Sequence, residues 1–118
     1  RWLKKDSFIG YNIFKLILNK IFQLFFASLY SISLSDLTFA FRVYPSHLIK
    51  RFNLKETQHP ILLETMLIPI KLGIQVIEIS SNWKKREEGN TNNTFLRNFF
   101  YINTGFRILF SNKDSLVK

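Results

Sequence analysis

The sequence predicts an α/β fold in which amphipathic helices alternate with short, mostly apolar strands. The first observation is that residues 60–79 run from an apolar helical segment through Gly73 directly into a short apolar strand pattern. The second is that the 118-residue chain is 47% hydrophobic, which suffices for one modest core. We therefore expect one compact unit or a part of one.

The first predicted element is a long amphipathic helix over residues 11–34, which contain neither proline nor glycine. Its polar side chains recur at steps of three and four and form a narrow stripe, comprising Asn12, Lys15, Asn19, Gln23, Ala27 and Ser31. The apolar arc around this stripe is wide and must be covered by a protein core or a membrane interface, and both alternatives stay open. The charge-free run 21–35 falls short of the roughly 20 apolar residues of a membrane span, so a transmembrane helix is the lesser alternative.

Shorter elements follow. Aromatic and β-branched residues in 37–44 predict a strand that stops at Pro45, and residues 46–52 predict a short helix. Residues 60–72 predict a helix that Gly73 ends and that Pro69 kinks or shortens, with a buried strand after it in 74–79. The polar run 84–94 indicates a surface loop.

The last predicted element is an amphipathic helix over residues 95–110. Its predicted apolar face consists of Phe95, Phe99, Ile102, Phe106, Leu109 and Phe110. Its predicted polar face carries Arg97, Tyr101 and Thr104. As with the first helix, the apolar face suits a core or a membrane surface.

Charge and composition narrow the class of partner. The chain has 17 Lys and Arg against 8 Asp and Glu, a formal charge of +9, which favours anionic partners. Thirteen phenylalanines beside these cations are typical of proteins at membrane surfaces. We predict no nucleic-acid binding, because the basic residues are spread along the chain and the aromatic residues follow helical faces. With no cysteine and two separated histidines, His47 and His59, we predict no metal site from these residue types.

Four segments, in order along the chain, resemble motifs of one enzyme family. DLTFAFRVY at 36–44 resembles D-L-T-x-G-F-R-x-Y, and ILLETML at 61–67 resembles a helix with a central glutamate. LGIQVIEI at 72–79 resembles G-x-x-I-x-E-V-P, and WKKREEGNTN at 83–92 resembles W-x-x-R-x-x-G-x-S-K. Arg1-Trp2 resembles the end of a G-S-R-aromatic segment. The chain departs from the pattern at Ala40, Ser80 and Asn92, which stand for glycine, proline and lysine.

These motifs resemble the C-terminal half of a family-2 glycosyltransferase of the dolichyl-phosphate (polyprenyl-phosphate) mannosyltransferase type. The resemblance implies a Rossmann-like nucleotide-sugar (GT-A) fold, of which residues 1–118 would be the C-terminal portion. The nucleotide-binding part would lie upstream and carry an Asp-x-Asp metal motif, which this sequence lacks. The intact enzyme would transfer a sugar from a nucleotide-sugar donor to polyprenyl phosphate with inversion, and this chain alone would be inactive.

The resemblance also implies a cofactor and a location. A divalent metal, Mg or Mn, would be held mostly by ligands outside this chain. The enzyme would lie peripherally on the cytoplasmic side of the membrane, with the helices 11–34 and 95–110 on the membrane surface.

The predicted site residues follow from the charge of the substrates. A diphosphate leaving group and an anionic acceptor repel each other, so arginines are expected beside them. Arg86, with Gly89 and Thr91, would hold the donor diphosphate, and Arg1 would contact the acceptor phosphate. The alternatives are that Arg86 lies on a solvated turn and that Arg1 is an exposed terminal residue.

The predicted catalytic residues are Asp36, Arg42 and Glu64. Asp36 would organise the site near the sugar, and Arg42 would face the acceptor phosphate or pair with Asp36. Glu64 stands among apolar neighbours, where an unpaired carboxylate would be costly, so we expect it to have a role in the site. The alternative is that it belongs to a polar helix face that it shares with Lys71. We expect no general base, because a lipid phosphate is already a good nucleophile at neutral pH.

Two other functions stay open at this point. The same kind of enzyme could act on a glycan or a cell-envelope acceptor, because the motifs do not define the acceptor. Alternatively, the chain could be a small, basic, non-catalytic membrane-binding protein whose helices carry the function and whose Arg86 is inert.

Overall fold

The computed structural model describes residues 13–80 and 97–118 of the chain. These ranges contain the helices α1 (Ile13–Leu29), α2 (Ser46–Ile49), α3 (Ile61–Lys71) and α4 (Arg97–Phe110), followed by a 3-10 turn at Lys113–Leu116. They divide into two compact units. The first unit holds residues 13–36 and 77–80, and the second holds residues 37–76 and 97–118.

The predicted α/β fold, including a Rossmann-like layer, is wrong for the part of the chain that the structure describes. That part is helical and contains no strand ladder. Segments 37–44 and 74–79, both predicted as strands, are irregular. An isolated antiparallel bridge joins Phe52 and Val117. β-Branched and aromatic residues specify a strand only where a neighbouring strand takes up the backbone hydrogen bonds, and none of the described residues forms one beside either segment.

Helix α3 is the centre of the second unit. The predicted helix over 60–72 is confirmed as α3, which begins after Pro60 and includes Pro69. Gly73 follows with a φ of 80°, a left-handed conformation that glycine adopts without cost from a Cβ atom. The core around α3 is apolar and fully buried, and it comprises Phe52, Leu63, Leu67, Ile68 and Ile108.

Helix α4 confirms the predicted helix over its described residues but turns the opposite face inward. Thr104, predicted on the outer polar face, is 1% exposed, whereas Phe99 and Phe110 of the predicted apolar face are 62% and 80% exposed. The reason lies on α3 and the residues before it. Thr104 and Arg107 donate hydrogen bonds to the carboxylates of Glu56 and Glu64, respectively. The polar side of α4 is therefore the side that packs against the rest of the unit.

Helix α1 is shorter than predicted because it ends at Leu29 rather than at residue 34. Ser31 has a φ of 53°, and the N–H groups of Ser31 and Ile32 donate to the carbonyls of Ser28 and Ala27. This pair of bonds is the Schellman arrangement that closes a helix C-terminus, here on a residue other than glycine. The short helix predicted over 46–52 is likewise reduced to the four residues of α2. Residues 11, 12, 95 and 96, which belong to the predicted helices, lie outside the described ranges.

Candidate functional site

The first unit holds Asp36 by its backbone. The carboxylate of Glu78 accepts three hydrogen bonds, from the N–H of Asp36 at 2.8 Å, the N–H of Ser35 at 2.8 Å and the hydroxyl of Ser35 at 2.9 Å. Bonds from N–H groups to an ionised carboxylate are roughly twice as strong as those between neutral groups. Glu78 therefore fixes the conformation of residues 35 and 36.

The side chain of Asp36 is 4% exposed and meets α1 from inside the unit. The Gln23 amide, itself 1% exposed, donates to Oδ1 of Asp36 at 3.4 Å and to Oδ1 of Asn19 at 3.3 Å. These hydrogen bonds are long, but they give the buried amide acceptors, and a buried amide without acceptors would cost free energy. The polar stripe predicted on α1 is thus the side of the helix that contacts Asp36.

Arg42 joins segment 37–44 to helix α3 in the second unit. Its guanidinium donates to the carbonyl oxygens of Leu62 and Leu37, the latter at 2.7 Å, and to the hydroxyl of Thr65 at 3.2 Å. Tyr44 adds a hydrogen bond from its hydroxyl to the Thr65 carbonyl at 3.2 Å. These acceptors are neutral, so Arg42 fastens a loop to a helix rather than pairing with a carboxylate.

One atom of Arg42 departs from this pattern. Its Nε–H group is buried and has no hydrogen-bond acceptor among the described residues. A buried donor left unpaired costs free energy, which the other bonds of the guanidinium must offset.

Glu64 is the buried centre of an ionic cluster in the second unit. The residue is 0% exposed, and its carboxylate accepts a bond of 2.8 Å from Arg107 and further bonds from the backbone N–H groups of Lys55 and Glu56. Arg107 also pairs with Glu56 at 2.9 Å, and Thr104 donates to the same carboxylate at 2.7 Å. The cluster ties α3 and α4 to the segment before α3.

The pKa of Arg107 reflects this setting. Burial by itself lowers the pKa, but the hydrogen bonds to Glu64 and Glu56 and the charges of both carboxylates raise it above the ordinary arginine value. The guanidinium therefore carries its positive charge at neutral pH. Lys71, the alternative partner of Glu64, donates instead to the Leu109 carbonyl at 2.6 Å.

The predicted site residues are accordingly spread over different settings. Asp36 lies in the first unit, and Arg42 and Glu64 occupy separate networks of the second. Arg1, Arg86, Gly89 and Thr91 lie outside the described residues, and their roles stay predictions. In the ranges 13–80 and 97–118 no group of three potential ligand side chains could hold a metal ion, and the Mg or Mn of an intact enzyme also stays a prediction.

Sequence analysis did not identify the partners of three residues that organise these networks, namely Gln23, Glu78 and Arg107. A signal for Arg107 was present, because it lies three residues after Thr104 and therefore on the same side of a helix. A carboxylate in the apolar run 74–79 was a signal for Glu78, since a buried charge needs partners. Neither signal names the partner.

No protein-family model, curated protein or solved structure matches this chain. A functional assignment therefore depends on the motifs and on the contacts that their residues make.

Proposed function

We propose that this chain is the C-terminal part of a glycosyltransferase that transfers a sugar from a nucleotide donor to polyprenyl phosphate with inversion. The observation that supports it most is that residues from separate motif segments contact one another. Glu78 of the segment 72–79 holds Asp36 of the segment 36–44. Arg42 of the same segment holds Thr65 of the segment 61–67.

These contacts give the motif pattern a physical basis. A chance match of short segments would not require that a polar side chain of one segment forms a hydrogen bond with another segment across 42 or 23 residues of chain. Buried polar groups are retained when their partners are in place and are costly when they are not. The contacts thus support two pairings of motif segments, 36–44 with 72–79 and 36–44 with 61–67.

In this proposal each of the three described site residues has a different role. Asp36 would organise the site near the sugar through its hydrogen bonds within the protein, because it is buried and its position is set by Glu78 and Gln23. Arg42 would keep the segment after Asp36 on α3 rather than bind a phosphate directly. For Glu64 we propose a structural role, because its carboxylate is fully buried and already accepts bonds from Arg107 and two backbone groups.

The charge of the substrates is left to residues outside the described ranges. Arg86 with Gly89 and Thr91 would bind the donor diphosphate, and Arg1 the acceptor phosphate. A divalent metal, when bound by the intact enzyme, would neutralise charge on the leaving diphosphate.

The test is a transfer assay on the complete protein that contains this chain. The purified protein is incubated with Mg²⁺ or Mn²⁺, a panel of radiolabelled nucleotide sugars, and either polyprenyl phosphate or a soluble glycan. The proposal expects label in the polyprenyl-phosphate product, and an Asp36→Asn variant should lose most of it. Label in the glycan alone would change the acceptor class, and no label from any donor with a folded protein would reject the proposal.

A further inference from the structure

Helix α1 presents an apolar surface on the side that faces away from its buried residues, which are Gln23, Phe26 and Ala27. None of the helices in the described residues is long and apolar enough to cross a membrane. The outer surface of α1 carries seven large apolar side chains that are 37% to 68% exposed, namely Ile13, Phe14, Ile17, Leu18, Ile21, Leu24 and Phe25. A contiguous apolar surface of this kind is uncommon on a monomeric protein and marks a contact surface.

The exposed apolar residues of α1 have the spacing of a helix that packs along a second helix. Phe14, Ile17, Ile21 and Leu24 are separated by three, four and three residues, which is the spacing of the two core positions of a heptad repeat. Side chains at this spacing form one stripe along a helix. Two such stripes pack against each other when the helix axes cross at about 20°.

The exposed area of this surface is large enough for a stable contact between two proteins. A large apolar side chain offers on the order of 150–200 Å², and the seven are about half exposed on average, so each copy of α1 leaves roughly 600 Å² uncovered. Two copies packed face to face would bury about 1,200 Å², which reaches the range of specific protein interfaces. None of the seven residues is charged, as is typical of the centre of an interface.

We propose that two copies of this chain associate through the outer surface of α1 and form a symmetric dimer. In a twofold contact the same surface is used by both copies, so it must be complementary to itself. An uncharged apolar stripe meets this condition, because it brings no like charges together. Each α1 would then be held by its copy on the outside and, through Gln23, by Asp36 on the inside.

The polar residues of α1 favour a protein partner over a membrane surface. A helix that lies in a membrane interface has a strongly charged face opposite its apolar face. On α1 the polar side instead carries Asn19 and Gln23, which are hydrogen-bonded to each other, and Gln23 is buried against Asp36. The two lysines of α1, Lys15 and Lys20, already interact within the chain. Attraction to anionic headgroups would therefore have to compete with those interactions.

The test is the oligomeric state of the complete protein that contains this chain. Sedimentation velocity between about 1 and 100 μM should show a monomer that converts to a dimer as the concentration rises. Ile21→Glu should raise the dissociation constant of the dimer about 100-fold or more, because each dimer would bury two unpaired carboxylates. Val43→Glu is the matched control and should leave the dissociation constant unchanged, because Val43 is 89% exposed and lies outside α1. Circular dichroism checks that both variants keep the fold.

Cross-linking through a single cysteine gives a second, independent measurement, since this chain contains no cysteine. Leu18→Cys lies near the middle of the apolar surface along α1. In a background without other cysteines, a short bismaleimide should join Leu18→Cys to its copy, whereas Val43→Cys should stay monomeric in the same reaction.

A protein that stays monomeric at every concentration would overturn the proposal, and so would a dimer that Ile21→Glu leaves unchanged. Monomers that bind phosphatidylcholine–phosphatidylserine vesicles, and that lose this binding in Ile21→Glu, would assign the surface to a membrane and would also overturn it. The inference does not depend on the proposed sugar transfer, because α1 would meet its copy in the same way in a non-catalytic protein. The transfer assay and the sedimentation experiment therefore fail separately.

Discussion

The backbone N–H of Asp36 donates a 2.8 Å hydrogen bond to the carboxylate of Glu78, which lies 42 residues further along the chain. The same carboxylate accepts from the N–H and the hydroxyl of Ser35. One side chain therefore sets the conformation of the residue that we place at the sugar.

Replacing Glu78 with alanine removes all three acceptor contacts at once. We expect the amide protons of Ser35 and Asp36 to exchange with solvent faster, and the free energy of unfolding to fall by about 1–3 kcal/mol. Hydrogen exchange read by NMR measures the first effect and urea unfolding the second. Gln75→Ala, at an exposed neighbouring site, is the control, and unchanged protection at residues 35 and 36 in Glu78→Ala would contradict the positioning role.

Glu64→Ala should be the most destabilising of the single changes considered. It leaves Arg107 without its buried partner and two backbone N–H groups without acceptors. The two unpaired backbone donors each cost about 1–3 kcal/mol, while Arg107, whose side chain is 24% exposed, keeps Glu56 as a partner. Urea unfolding of Glu64→Ala is compared with Asp114→Ala, an exposed carboxylate expected to change stability by less than about 0.5 kcal/mol. Equal stability of the two variants would show that the ionic cluster does not hold α3 to α4.

Arg42→Lys keeps the charge but loses the fork of donors. The guanidinium bonds to Leu37, Leu62 and Thr65 together, whereas an ammonium cannot reach all three. We expect a loss of about 1–3 kcal/mol in the free energy of unfolding. Arg51→Lys, at an exposed site, is the matched control and should change little. A stable Arg42→Lys variant would mean that the charge alone matters at this position.

Gly73→Ala tests backbone strain without steric interference. Gly73 has a φ of 80°, and a Cβ atom built there meets no atom within 4 Å. The left-handed conformation alone should cost about 1–2 kcal/mol for alanine. Gly73→Asn should cost less, because asparagine tolerates this conformation better. Thermal unfolding of the two variants checks the order, and an alanine variant as stable as the asparagine variant would refute the explanation.

The sequence correctly predicted the helices that nearby residues determine. It failed for segments whose conformation or buried face depends on residues far away in the chain. Helix α3 was found because Pro60 and Gly73 mark its ends. The strands at 37–44 and 74–79 were wrong because a strand depends on a neighbour that local composition does not reveal. The inward faces of α1 and α4 were missed for the same reason. Gln23 on α1 donates a hydrogen bond to Asp36, and Thr104 on α4 donates one to Glu56. Both acceptors lie outside the helix of their donor.

For the candidate site, too, the residues could be predicted from the sequence but their partners could not. Residue types predicted that Asp36, Arg42 and Glu64 have specific roles rather than being exposed at random. All three take part in hydrogen-bond networks. Their partners depend on packing between elements and could not be obtained from spacing along the chain.

Arg86 gives the most direct test of the proposed sugar transfer. In the complete protein, the rate of transfer to polyprenyl phosphate is measured for the unchanged protein, for Arg86→Ala, and for Arg51→Ala as a control of equal charge. Loss of a charge contact made in the transition state costs about 100-fold or more in rate. We predict that loss for Arg86→Ala and a near-normal rate for Arg51→Ala, whereas near-normal transfer by Arg86→Ala would contradict the assignment.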